Sequence, residues 1–148
     1  MHTLFPLEQH RPEGFQYIDD FITAEEESEL IKAISKNELH PFSFQGFEAR
    51  RKVASFGFDW SFDTRRLKKG KEIPATFHFL IEKVGGFLGL SPQAFAELLL
   101  TEYPSGSVIN WHRDAPPFDI IAGISLLSDC VLRLRPQEQA GRPQSHFR

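Results

Sequence analysis

The amino-acid sequence predicts an α+β domain, because helical and strand-like apolar patterns occur in turn along a chain of 148 residues. Two stretches place apolar residues at helical spacing, one from Ala24 and one from Pro74. Apolar and polar residues alternate over residues 51–62, and apolar runs recur further on. A hydrophobic share of 41% is enough for a core.

Composition narrows the class of protein further. The one cysteine, Cys130, excludes an intrachain disulfide, and we expect it to be a small buried hydrophobe. No apolar stretch is long enough to span a membrane, and the N-terminus lacks the pattern of a signal peptide. We therefore expect a cytoplasmic protein without membrane partners. We expect residues 1–148 to form one domain with an irregular tail over residues 136–148, and the oligomeric state stays open.

The first helix is predicted over residues 24–36. Thr23 is a suitable N-cap and Glu26 is the third helical residue, so the two can form a capping box. Apolar residues then recur at helical spacing from Leu30 to Ile34. This helix is expected to pack on a sheet.

Residues 51–62 are predicted to form a half-buried strand. Because successive side chains alternate between the two faces of a strand, four aromatic residues fall on one face: Phe56, Phe58, Trp60 and Phe62. Such a face packs in a core, or it stacks on unpaired bases beside cations. We expect the inner end of this face to support the fold, and the outer end leaves both interpretations open.

Positive charge is concentrated between Arg50 and Lys71. This segment contains eight basic and two acidic residues, a net charge of +6, whereas the whole chain carries −3. The rest of the chain therefore carries −9. Such a local positive field suits nucleic acid, but a solvated basic loop has the same composition. Residues 63–72 are predicted to be a loop.

A second helix is predicted to begin at Pro74, since proline suits the first helical position, and to stop at Gly85-Gly86. Apolar runs in the second half of the chain predict four more strands, over residues 96–103, 107–111, 120–127 and 131–134. Pro104-Ser105-Gly106 is the turn between the first two.

The most informative pattern, His112-Arg113-Asp114, follows the predicted strand 107–111. Residues i and i+2 of a strand point the same way, so His112 and Asp114 would present an imidazole and a carboxylate side by side. These groups are two of the three ligands of a 2-His-1-carboxylate triad, which holds non-haem Fe(II) with open positions for substrate and oxygen. An exposed polar strand end has the same spacing, so the pattern alone leaves both interpretations open.

Several segments, in order along the chain, resemble the AlkB-like 2-oxoglutarate/Fe(II) oxygenases. This family oxidatively removes alkyl groups from nucleic acids and, in some members, from proteins. The matching segments are Arg51 through Gly57-Phe58-Asp59-Trp60, then LLTEYPSG at residues 99–106, INWHRD at residues 109–114, and Ile124-Ser125-Leu126.

The resemblance implies a double-stranded β-helix (jelly roll) with the helices packed on it. It also implies Fe(II) as the metal, held by His112 and Asp114 as the catalytic pair, and 2-oxoglutarate as co-substrate beside Tyr103 and Thr101. Thr101 stands where many members have asparagine.

The resemblance further places a substrate-recognition lid near residues 50–71, with Arg51, Phe58 and Trp60 towards the substrate. The DNA-repair members carry an acidic residue two positions after the metal-binding aspartate, but this chain has Pro116 there. That difference favours a protein substrate.

The family's second iron-binding histidine and its 2-oxoglutarate-binding arginine lie further downstream than this chain reaches. The histidine that follows Asp114, His146, falls in the predicted tail. We therefore expect the C-terminal strands of the jelly roll to be missing and this 148-residue chain to be weakly active or inactive.

These observations favour a dioxygenase that oxidatively demethylates alkylated nucleic acid. One alternative is an oxygenase that acts on protein side chains. Another is a jelly-roll remnant that binds nucleic acid without turnover.

Overall fold

A computed structural model describes residues 11–136, which have an α+β architecture of two α-helices and four antiparallel strands. The elements in chain order are α1 (Ala24–Ser35), β1 (His40–Phe44), β2 (Phe47–Ser61), β3 (Arg66–Lys69), α2 (His78–Leu88) and β4 (Glu97–Glu102). Short 3-10 helices, Ala75–Phe77 and Pro92–Ala94, precede α2 and β4. No helix in this part of the chain is long and apolar enough to cross a membrane.

The start of α1 confirms the predicted capping box. The Thr23 hydroxyl accepts the Glu26 backbone N–H at 3.0 Å, and a Glu26 carboxylate oxygen accepts the Thr23 backbone N–H at 2.9 Å. Two N–H groups that a helix leaves unpaired are thereby satisfied. The helix ends at Ser35, one residue before the predicted end.

The predicted end of α2 at Gly85-Gly86 is wrong. The helix continues to Leu88 and ends at Gly89, whose left-handed φ of 70° suits glycine. Gly85 is instead a packing position, since a Cβ there would lie 2.7 Å from the Leu90 carbonyl oxygen.

The fifteen-residue strand β2 is the centre of the sheet. Val53 pairs with His40 of β1 and with Thr101 of β4, so these two strands flank the middle of β2 on opposite edges. The far end of β2 pairs with β3, from Phe58↔Lys69 to Ser61↔Arg66. The prediction of a loop over residues 63–72 is therefore wrong, because the basic segment turns back and pairs as a strand.

The core lies between the sheet and the two helices. Leu30 and Phe77, each 1% exposed, are its most deeply buried large side chains. Burial of each contributes about 1.5–3 kcal/mol. The other buried members are Ala33, Phe56, Leu80, Val84 and Leu100. The inner end of the aromatic face, Phe56, thus supports the fold as predicted.

Strand β2 bends so strongly that its two ends meet. The Gln45 backbone N–H, in the turn before β2, donates to the Asp63 carboxylate at 3.1 Å. The Phe62 ring, just after β2, lies edge-on to the rings of Phe42 and Phe44, at 6.2 and 6.1 Å between centroids. The hairpin of β2 and β3 is therefore tied to the hairpin of β1 and β2.

The chain after β4 differs from the prediction. Residues 107–111, 120–127 and 131–134 form no strand in the structure. Strand backbone needs a partner to take its hydrogen bonds, and within the described residues these apolar stretches have no neighbouring strand. Many of their side chains are exposed, for example Val108 and Val131, while Ile124 and Leu126 pack against the core. Cys130 is also exposed, so its predicted burial is wrong.

Candidate functional site

The candidate site begins in the turn that follows β4. The Ser107 backbone N–H donates to the Pro104 carbonyl oxygen at 2.9 Å, which closes the predicted turn. A guanidinium nitrogen of Arg50, on β2, lies 3.5 Å from the Ser105 carbonyl oxygen. The turn is thus linked to the central strand.

His112 and Asp114 lie side by side, as the H-x-D spacing predicted, although the backbone here is not a strand. The His112 Nε2 is 3.3 Å from an Asp114 carboxylate oxygen. The His112 Nδ1 is 2.8 Å from the Asn110 carbonyl oxygen. Because a carbonyl oxygen only accepts, Nδ1 carries the proton and donates it to Asn110.

This hydrogen bond decides what the other ring nitrogen can do. In the neutral imidazole Nε2 is unprotonated, so its lone pair faces the negative Asp114 oxygen. That arrangement needs a positive charge between the two atoms, either a proton or a metal ion. A histidine whose other nitrogen donates to a carbonyl group is also the usual form of a metal ligand.

Electrostatics favour the proton when no metal is bound. The hydrogen bond to Asp114 raises the pKa of His112 above its ordinary value of 6.5, although partial burial opposes the change. The bond from His112 likewise lowers the pKa of Asp114 below 3.8, against the effect of its own partial burial. The two side chains are 47% and 55% exposed, so solvent reaches the pair.

A facial triad needs a third protein ligand. Within residues 11–136, no three His, Cys, Asp or Glu side chains are grouped so that they could hold a metal ion. His146 lies outside the described residues. By their chemistry, a neutral imidazole nitrogen and a hard carboxylate oxygen, His112 and Asp114 suit two positions of the Fe(II) site that the resemblance implies.

The residues expected near 2-oxoglutarate lie at the end of β4. Thr101 is half-buried and pairs with Val53, while Tyr103 follows the strand and is 56% exposed. The Arg51 guanidinium lies 4.2 Å from the centre of the Phe42 ring. The positive charge of Arg51 also lowers the pKa of His112, although this is the smallest of the effects on that group. Arg51 is thus close enough to His112 for its charge to act on the imidazole.

The two aromatic residues expected to contact a substrate lie further along β2. Phe58 is 40% exposed and pairs with Lys69 of β3, while Trp60 is half-buried and pairs with Leu67. Phe58 is seven residues from Arg51 along the strand. Among the described residues, no hydrogen bond, ion pair or ring contact connects Phe58 or Trp60 to His112 or Asp114.

Trp111, the residue directly before His112, lies at the surface and not in the core. Its side chain is 44% exposed, and the guanidinium of Arg135 lies 4.3 Å from the centre of its ring. A cation–π contact therefore places Arg135 over the ring of Trp111, the residue beside His112.

Sequence patterns missed the residues that orient the site. Asn110 acts through its backbone carbonyl group, which carries no side-chain signal, although its place two residues before His112 is visible in the sequence. Arg50 was counted only as part of the basic segment. Nothing in the sequence indicated that its guanidinium reaches Ser105.

Comparisons of the chain with protein-family models, curated proteins and solved structures found no match. The AlkB-like resemblance therefore depends on the quoted segments and on the geometry of His112 and Asp114.

Proposed function

We propose that this chain is an Fe(II)- and 2-oxoglutarate-dependent dioxygenase of AlkB-like jelly-roll fold that oxidatively demethylates alkylated nucleic acid. The observation that carries the proposal is the pairing of His112 Nε2 with the Asp114 carboxylate at 3.3 Å, with the ring held by Asn110. This pair follows the Tyr103 motif in the order that the resemblance requires.

His112 and Asp114 would hold the metal, one through a neutral nitrogen and the other through a hard anionic oxygen. When bound, Fe(II) with 2-oxoglutarate and oxygen supplies the oxidation of a methyl group on nitrogen, after which formaldehyde is lost. The Asn110 carbonyl fixes the ring so that Nε2, and not Nδ1, is presented. Arg51 adds positive charge near the pair, which favours an anionic co-substrate or a phosphate.

The proposed nucleic-acid substrate is supported by the surface of the β2–β3 hairpin. All four residues of β3, Arg66–Lys69, are exposed, and three of them are basic. Phe58 lies opposite Lys69 with 40% of its surface exposed. Cations beside an exposed ring are the combination that holds an unpaired base and its phosphate.

Formaldehyde release from an N-methylated single-stranded oligonucleotide, with Fe(II) and 2-oxoglutarate added, tests the proposal. We expect weak release by the native chain, which has two of the three ligands, and loss of this release in Asp114→Ala, since the anionic ligand is gone. Asp119→Ala, which removes an exposed carboxylate, is the matched control and should keep the activity. Equal release by both variants would refute the metal assignment. Release only from a methylated peptide would move the substrate from nucleic acid to protein.

The exposed basic strand also favours a second candidate, a module that binds nucleic acid without turnover. The two candidates differ in their need for metal. A binding module holds an oligonucleotide equally well in a chelator and releases no formaldehyde under any condition. Its binding falls steeply with salt, because phosphate contacts release counterions.

A further inference from the structure

A cation–π contact joins the loop that carries His112 and Asp114 to a residue near the end of the described chain. The guanidinium of Arg135 lies 4.3 Å from the centre of the Trp111 ring, within the distance of about 6 Å over which such contacts attract. We propose that Arg135 is a positioning residue: it holds Trp111 and, through Trp111, the carbonyl group that accepts the His112 ring N–H. This Trp111–Arg135 clamp rests on the proposed function only for the metal that His112 would bind.

The clamp can act on His112 because of the place of Trp111 in the backbone. The Asn110 carbonyl group, which accepts the His112 Nδ1–H at 2.8 Å, belongs to the peptide bond between Asn110 and Trp111. A peptide bond is planar, so the direction of this carbonyl oxygen is fixed relative to the backbone N and Cα of Trp111. A contact that restrains Trp111 therefore restrains the acceptor of the imidazole. The His112 Nε2 then stays directed towards the Asp114 carboxylate, 3.3 Å away.

Side-chain contacts matter here because neither member of the clamp is held by burial. The Trp111 side chain is 44% exposed, and Arg135 is exposed as well. Residues 103–135 form no helix or strand, so no ladder of backbone hydrogen bonds fixes either residue. A side-chain contact in this region therefore decides how firmly the backbone beside His112 is held.

The approach of Arg135 to Trp111 is set by the core and by a tight turn. Ile124 and Leu126 pack against the core. The Ser128 backbone N–H then donates to the Leu126 carbonyl oxygen at 2.9 Å, around Leu127 with a φ of 71°. Such a bond is that of a γ-turn, which reverses the chain within three residues. Arg135 thus follows a segment that is anchored on the core, and the clamp ties the His112 loop to that segment.

Two arginine contacts therefore hold the loop, one on each side of the His112–Asp114 pair in the chain. Arg50, on β2, reaches the Ser105 carbonyl oxygen at 3.5 Å, and Arg135 covers the Trp111 ring. Arg133, two residues before Arg135, is also exposed, but among the described residues it takes part in no hydrogen bond, ion pair or ring contact. Arg133 is thus a matched control for the loss of one exposed arginine.

Anaerobic titration calorimetry with Fe(II) measures the clamp through the metal pair. Arg135→Gln keeps a polar side chain but loses the cation. It should weaken Fe(II) binding about two- to fivefold, the equivalent of 0.5–1 kcal/mol for an exposed cation–π contact. Arg135→Lys, which can still place a cation over the ring, should lose less, and Arg133→Gln should bind Fe(II) as the native chain does. Trp111→Leu should lose as much as Arg135→Gln, and the double variant no more, because the two side chains form one contact.

Exchange of the His112 Nδ1–H with water, followed by NMR in chelator, measures the positioning without a metal. Below the raised pKa of His112, both ring nitrogens carry a proton and Nδ1–H stays on the Asn110 carbonyl oxygen. Exchange should be about two- to fivefold faster in Arg135→Gln than in the native chain or Arg133→Gln, since the same contact keeps this hydrogen bond closed. The signal is assigned by its absence in His112→Gln.

The outcomes separate this inference from the proposed function. Equal Nδ1–H exchange in Arg135→Gln and Arg133→Gln overturns the clamp, whatever the Fe(II) affinity of the native chain. Faster exchange in Arg135→Gln, with no Fe(II) uptake by the native chain, overturns the proposed function and leaves the clamp standing. A loss of Fe(II) affinity that is as large in Arg135→Lys, or that adds to the loss in Trp111→Leu, overturns the cation–π contact as its cause.

Discussion

The described chain has two regions that are held in different ways. Up to Glu102, the helices and the sheet enclose every buried core residue, from Leu30 to Leu100. Residues 103–135 have no helix or strand in the structure, yet they carry His112 and Asp114. The second region is held to the first by the Arg50–Ser105 contact and by Ile124 and Leu126. The scaffold is thus separate from the candidate site, as is common where functional residues lie on loops.

The largest expected difference between the two regions is in how much stability each loses when a leucine is truncated to alanine. Leu30→Ala should lower the free energy of unfolding by about 2–5 kcal/mol, because it opens a cavity in the core. Leu132→Ala, at a position that is 70% exposed, should change it by less than about 0.5 kcal/mol. Urea unfolding measures both. A large loss in Leu132→Ala would mean that the second region carries a core of its own.

A pair of glycine substitutions tests how tightly the scaffold is built. Gly57→Ala should destabilise the fold by about 2–4 kcal/mol, since alanine is strained at a φ of 82° and its Cβ clashes with Ala96. Gly86→Ala, inside α2 with open space around it, should stabilise the fold by about 0.5–1 kcal/mol. Thermal unfolding of the two variants should therefore shift in opposite directions. A shift in the same direction would contradict the close approach at Gly57.

A pH series in chelator examines the weakly held region. The raised pKa of His112 gives stability that is complete below pH 6.5 and is lost as pH rises through the folded value. The lowered pKa of Asp114 gives stability that is present above pH 3.8 and is lost as pH falls through its folded value. The pair therefore stabilises the fold most between these two limits.

Asp114→Asn should lower the free energy of unfolding in that window by less than about 1 kcal/mol, because both side chains are half exposed and screened by solvent. The difference from the native chain should shrink above and below the window. Asp119→Asn is the control and should show no such profile. A difference that grows steadily towards alkaline pH would contradict the pairing of His112 with Asp114.

Local patterns predicted the scaffold well where neighbouring residues decide the structure. The capping box of Thr23 and Glu26 is a contact within one helical turn, so it could be identified from spacing alone. The strand over residues 96–103 likewise followed from an apolar run, and the buried Phe56 followed from the alternation over residues 51–62. The adjacency of His112 and Asp114 was also correct, although a hydrogen bond to Asn110 and not a strand positions the ring.

The errors arise where distant residues decide the structure. The charged segment Arg66–Lys69 forms a strand because β2 offers it an open edge, which its own composition does not reveal. The apolar runs after Glu102 have the composition of strands but no pairing partner among the described residues. Gly85 resembles a helix stop in sequence, but its missing Cβ serves the approach of Leu90.

The central claim is that the loop after β4 presents His112 and Asp114 as a metal-binding pair. Anaerobic titration calorimetry with Fe(II) tests it most directly, on the native chain, Asp114→Ala and the control Asp119→Ala. The account predicts specific Fe(II) uptake by the native chain and by the control. Below the raised pKa of His112, this uptake should release a proton. Asp114→Ala should take up no Fe(II) specifically. Unchanged Fe(II) affinity in Asp114→Ala would contradict it.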